Sequence, residues 1–98
     1  MTIHQNRNGS ELTLSLEGRL DTSTAPELEK VIRESLNGVT ALTLDCGKLE
    51  YISSAGLRVL MIAQKTMNKQ GSMKLTNVAD FIMEVFELTG FSSLLTIV

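Results

Sequence analysis

Two stretches of this chain alternate apolar and polar residues with a period of two, three others repeat apolar residues at helical spacing, and the two kinds are interleaved. This interleaving constrains the fold more than any other feature. Leu12, Leu14 and Leu16 alternate with Thr13, Ser15 and Glu17. Residues 39–46 alternate again, with Leu42 and Leu44 facing one way and Thr43 and Asp45 the other. Between and after them come the stripes Ala25, Leu28, Val31, Ile32, Leu36, then a helix from about residue 54 to 69, then Val78, Phe81, Ile82, Val85, Phe86.

The punctuation agrees with these periods. Asn8-Gly9 is a turn signal joining a short strand near Ile3 to the strand of Leu12–Leu16. Thr24-Ala25-Pro26-Glu27 has capping-box spacing, with proline in the first helical turn, where its missing N–H costs little. Asn37-Gly38 and Gln70-Gly71 end the first two helices, residues 73–76 form a short strand, and Asn77 is placed to cap the third helix. Gly90 ends that helix before a last strand through Leu95, Ile97 and Val98. The expected order is β-β-α-β-α-β-α-β. Strands alternating with helices imply right-handed crossovers and a mostly parallel α/β sheet of four to five strands. Sheets covered on both faces have continuously apolar strands; the Thr, Ser and Glu at alternate positions here place the helices mainly on one face.

With 98 residues the chain is read as a single domain, 1–98, and its 43% apolar content builds a core of Leu, Ile, Val and Met. A formal net charge of −2 gives no basic excess to follow a phosphate backbone, so no nucleic-acid partner is expected. No signal peptide opens the sequence and no apolar run approaches membrane-spanning length, so no membrane association and a cytoplasmic location are expected. Cys46 stands alone, without a disulfide partner or a second thiol for zinc, and reads as a buried side chain. Met61 and Met67 read as core filling.

The chemistry-bearing stretch is Tyr51-Ile52-Ser53-Ser54-Ala55-Gly56-Leu57-Arg58, where a loop is expected to turn into a helix. A phosphate added there meets unsatisfied backbone N–H groups and the positive end of the helix dipole. It would bring a charge of about −1.5 to −2 and three strong acceptors. The alternative is that Ser54 simply caps the helix. Arg58 lies one turn on, and its guanidinium is expected to reach back toward a phosphate at Ser54. Asp21 is either a turn cap or part of a partner surface, and Asp45 a strand-end residue. Serine hydrolase chemistry is disfavoured: the only histidine is His4, and no Gly-x-Ser-x-Gly surrounds Ser54. Gly56 alone is no phosphate-binding loop, and neither a catalytic residue, a metal nor a cofactor is expected.

Over nearly its whole length the chain resembles the STAS domains of bacterial anti-sigma factor antagonists. Gly18-Arg19-Leu20-Asp21 resembles that family's Gly-x-Leu-Asp turn, and Leu44-Asp45 resembles the end of its central strand. Ser53-Ser54-Ala55-Gly56-Leu57 resembles its Asp-Ser-Ser/Thr-Gly-Leu phosphorylation motif, with Ser53 in place of the carboxylate and Ala55 in place of the second hydroxyl. The resemblance implies that the unphosphorylated protein binds an anti-sigma factor serine kinase, which itself holds the ATP, and frees a sigma factor. Phosphorylation at Ser54 would end that state and a PP2C-type serine phosphatase would reset it. The implied partner surface is Asp21, Thr22, Ser53, Ser54, Ala55, Gly56, Leu57 and Arg58. Family members usually continue into a C-terminal helix, so the resemblance also implies that residues 1–98 lack it and leave apolar surface open. Two other readings stand beside this one: a constitutive STAS scaffold or transporter-associated subunit without phosphorylation, and a small-ligand or nucleotide sensor.

Overall fold

The computed structural model describes residues Met1–Val98. Strands β1 (Thr2–Asn8) and β2 (Glu11–Leu20) form a hairpin; then come α1 (Ala25–Ser35), β3 (Ala41–Ile52), α2 (Ser54–Gln70), β4 (Ser72–Thr76), α3 (Asp80–Thr89) and a 3-10 turn at Phe91–Ser93. The sheet has the order β1-β2-β3-β4, with β1 antiparallel to β2 and the other pairs parallel.

Register explains why one face is apolar. Leu12 pairs with Leu42 and Leu42 with Met73; Leu14 pairs with Leu44 and Leu44 with Leu75. These rows are buried together with Leu28 and Ile32 of α1, Leu60 and Met67 of α2, and Ile82 and Phe86 of α3. The intervening rows, Thr13-Thr43-Lys74 and Ser15-Asp45-Thr76, lie on the face without helices. The expected one-sided α/β layering is the observed one. Arg7 fastens the hairpin to the end of α1 by donating to the carbonyls of Ser35 (3.3 Å) and Asn37 (3.1 Å), acceptors that a helix C-terminus leaves unpaired.

Several local expectations are corrected. The central strand does not stop at residue 46 but runs to Ile52. Its pairing with β2 slips twice, Ser15 opposite Asp45 but Glu17 opposite Lys48, and Gly18 opposite Leu49 but Arg19 opposite Tyr51. Each slip is a bulge of one extra residue in β3, so the buried positions become Cys46, Leu49 and Ile52, three apart, and the period of two disappears from the sequence. Asp45 therefore sits inside the strand. The fifth strand shrinks to one bridge, Leu75 with Ile97, because the 3-10 turn leaves only the last residues to lie along β4. Thr24 makes no side-chain cap on α1; its hydroxyl donates to the Arg19 carbonyl instead, as described below. Asn77 does not cap α3. It adopts a left-handed backbone (φ +56°) and its amide donates to Asp45 Oδ1 at 3.1 Å, while Ala79 begins the helix without a side-chain cap. In α3, Ile82 and Phe86 are buried but Phe81 of the expected stripe is exposed.

Candidate functional site

The site is the carboxyl edge of β2 and β3, where both parallel strands hand the chain to a helix. The strand ends are tied by the Ser53 N–H donating to the Leu20 carbonyl at 2.9 Å. Loops at this edge of a parallel sheet sit on a rigid frame and point outward. The positive ends of α1 and α2 lie side by side here, which favours negative charge.

The first loop is organised by Asp21. Its Oδ1 accepts from the Ser23 hydroxyl (2.7 Å) and from the N–H groups of Ser23 (3.0 Å) and Thr24 (3.1 Å), while its carbonyl accepts from Ala25 N–H at 2.8 Å. Thr24 Oγ1 donates to the Arg19 carbonyl at 2.7 Å, closing the loop on the strand it leaves. The Ser23 hydroxyl holds the Asp21 carboxyl below its ordinary pKa, helped by the N–H groups of Thr24 and Ser23 and opposed by partial desolvation. Asp21 is thus a fixed anion at neutral pH. Thr22 is exposed at the tip.

The second loop separates two serines that look equivalent in the sequence. Ser53 is the N-cap: its backbone is extended (φ −102°, ψ 175°), its Oγ accepts from Gly56 N–H at 3.4 Å, and its carbonyl accepts the first helical N–H, that of Leu57, at 2.9 Å. Ser54 is the first helical residue and is exposed. The alternative in which Ser54 is the capping hydroxyl is thereby corrected. Gly56 is buried for steric reasons; a Cβ there would stand 2.7 Å from Leu20 Cγ and 2.9 Å from Ile52 Cγ1. The first turn of α2 thus rests directly on the last core residues of both strands. Leu57 is also buried and Ala55 partly so; Gly56 and Leu57 reach the surface only through the backbone they position. Arg58 is exposed and its Nη1 lies 3.7 Å from Glu29 Oε1 on α1. With Ser54 unmodified, Arg58 makes this contact, a long exposed ion pair of the kind contributing about 0–1 kcal/mol, weak enough to leave the guanidinium free for a phosphate at Ser54.

Asp45 does not join this edge. Together with His4, Ser15, Glu17, Lys48 and Asn77 it lines an open polar cavity of about 530 Å³ on the helix-free face. Its carboxyl is held below the ordinary range, first by the Asn77 amide and then by the Gly47 N–H, against some desolvation. Cys46 is buried and its thiol pKa is pushed up to about 12 by desolvation, which removes thiolate chemistry at neutral pH. No helix is long and apolar enough to cross a membrane.

Comparison with known proteins decides the family. The family model described as Mlab, STAS domain, matches residues 3–96. The chain belongs to the STAS domain family. Among relatives of this STAS domain, a Bordetella bronchiseptica protein named as an anti-sigma factor antagonist, BtrV, is 33% identical over 96 residues, covering 96% of this chain and 83% of the relative. The anti-sigma-B factor antagonist of Bacillus subtilis is 27% identical over 99 residues, covering 99% and 90%. In fold, the domain is similar to an anti-sigma factor antagonist from Mycobacterium paratuberculosis, with a TM-score of 0.88 at 23% identity over 98% of this chain and 83% of the other. It is also similar to SpoIIAA in its unphosphorylated form, with a TM-score of 0.73 at 14% identity over 99% and 87%. Sequence reasoning placed the two loops of this STAS domain but missed Ser23 as the main partner of Asp21, and missed Arg19 and Tyr51, which the bulges bring together. A serine two residues after an aspartate in a turn was the available signal for the first; the second had none.

Proposed function

We propose that this STAS domain is an anti-sigma factor antagonist. The unphosphorylated form binds an anti-sigma serine kinase and frees a sigma factor, and phosphorylation of Ser54 releases the kinase. The kinase brings the ATP, a PP2C-type phosphatase removes the phosphate, and the exchange takes place in the cytoplasm. The observation that carries this reading is the division of labour at the head of α2: Ser53 holds the cap, so the Ser54 hydroxyl is free for modification without loss of the helix end. The names of BtrV and the Bacillus subtilis relative support it, as does the existence of SpoIIAA structures in unphosphorylated and phosphorylated forms.

The electrostatics gives release a direction. In the free protein a phosphate on Ser54 stands in water at a helix N-terminus, where a dianion is well tolerated. In a complex packed against Asp21, Thr22, Ser53, Ser54, Ala55 and Arg58, the same dianion must shed water beside an already ionised Asp21. Burying such a charge without a paired cation costs several kcal/mol, enough to weaken binding by orders of magnitude. No refolding is required.

Titration of the kinase with the wild-type chain, its phosphorylated form and Ser54→Ala tests this. Wild type and Ser54→Ala should bind alike and the phosphorylated form at least about a hundredfold more weakly. Equal affinity of the phosphorylated and unphosphorylated forms would overturn the release mechanism.

A further inference from the structure

On the helix-free side of the same edge, the Arg19 guanidinium carbon lies 4.2 Å from the centre of the Tyr51 ring, and Arg19 Nε is 3.6 Å from Asp21 Oδ2. The pair is made by backbone irregularity. Gly18 has φ +104°, a conformation L side chains rarely adopt, and Glu50 is the extra residue of the second bulge. Without that bulge Arg19 would stand opposite Glu50 in a plain surface ion pair; with it, Arg19 stands opposite Tyr51 while Leu20 and Ile52 still pair in the core.

Both partners remain open to solvent, the Arg19 side chain at 61% exposure and Tyr51 at 41%. Stacking on Tyr51 engages the guanidinium through its face, and the long exposed Asp21 contact lies at its Nε. Its two terminal nitrogens make no hydrogen bond or ion pair within the chain, leaving the forked edge that suits a bidentate carboxylate. An arginine stacked on an exposed aromatic ring is the composition of interface hot spots, because stacking already removes part of the side-chain freedom that binding would cost. Arg58, exposed on the helix side of the Ser54 turn, adds a second cation to this edge.

We infer that the docking surface runs from the Ser54 turn onto the Arg19–Tyr51 pair, and that the partner presents an Asp or Glu carboxylate to Arg19. This rests on the kinase-binding reading above and adds to it the residue that sets partner choice. Glycine, leucine and aspartate build the Gly18-Arg19-Leu20-Asp21 turn, whereas Arg19 alone points its charge outward, so a change of its sign changes which partner surface is accepted.

Calorimetric titration of the kinase with wild type, Arg19→Glu, Arg19→Lys and Tyr51→Ala tests the inference, with thermal melts verifying that each variant is folded. Arg19→Glu should weaken binding about a hundredfold, and Arg19→Lys and Tyr51→Ala each about tenfold, since one loses the fork and the other the platform. Arg19→Glu binding within about twofold of wild type would overturn the inference while leaving the kinase reading intact. Wild type that fails to bind the kinase at all would instead overturn the reading on which it rests.

Discussion

The β3–α2 and β4–α3 turns both carry the chain from a parallel strand into a helix at the same edge of the sheet, yet they are held in different ways. At the first, Ser53 supplies a cap, its N–H ties to Leu20, and Gly56 lets the helix rest on Leu20 and Ile52. At the second, Ala79 supplies no side-chain cap, the Asn77 amide is engaged with Asp45, and Phe81 is exposed; further on, Leu88 is 88% exposed. The first turn is fixed by local bonds and close packing, the second by the burial of Ile82 and Phe86 deeper in the helix. A binding surface on the first turn loses little freedom when a partner docks. The exposed hydroxyl stands on the more closely braced of the two.

The largest test of this contrast is Phe86→Ala. Phe86 is fully buried and is the main anchor of α3, so its removal should cost about 3–5 kcal/mol in chemical denaturation and strip hydrogen-exchange protection from α3 before α2. Gly56→Ala comes next. The new methyl would meet Leu20 Cγ and Ile52 Cγ1, carbons inside their side chains that cannot swing away, and overpacking of about 1–3 kcal/mol exceeds the gain in helix propensity of at most about 1 kcal/mol. Melting that rises in this variant would show that α2 does not rest on the strand ends as described. The serines sharpen the comparison further: Ser53→Ala should lose about 1 kcal/mol as a cap, whereas Ser54→Ala should stay within about 0.5 kcal/mol of wild type.

The smallest effect is at the second turn and concerns pH. Asp45 has its pKa lowered in the folded state, so its contribution is fully present above the unfolded value near 3.8 and is lost as pH falls through the folded value. Asn77→Gly removes the leading cause of that shift while tolerating the left-handed backbone. The pH-dependent part of its stability deficit should be present at pH 6 and vanish toward pH 2. A deficit unchanged across that range would mean the Asn77 amide does not hold the carboxylate.

What could be read in the sequence follows the same division. The alternating leucines of β2, the helical stripes and the Ser-Ser-Ala-Gly-Leu turn carry short-range signals, and they gave the α/β order and the position of the candidate acceptor. Cys46, Leu49 and Ile52 are buried at spacings of three because two bulges rotate the strand, and a period-two reading ends where they begin. Asn77 has the chemistry of a helix cap but answers to Asp45, 32 residues away. Arg58 meets Glu29 on a neighbouring helix, and Arg19 meets Tyr51 only through a slipped register. Local chemistry is legible along the chain, while partners chosen by strand register are not.

The central claim is that Ser53 caps and Ser54 accepts. It is tested most directly by incubating wild type, Ser53→Ala and Ser54→Ala with the kinase and ATP and mapping phosphate by peptide mass spectrometry. One phosphate on Ser54 in wild type and in Ser53→Ala, and none in Ser54→Ala, is the expected result. Phosphate on Ser53, or on the Ser54→Ala variant, would contradict it.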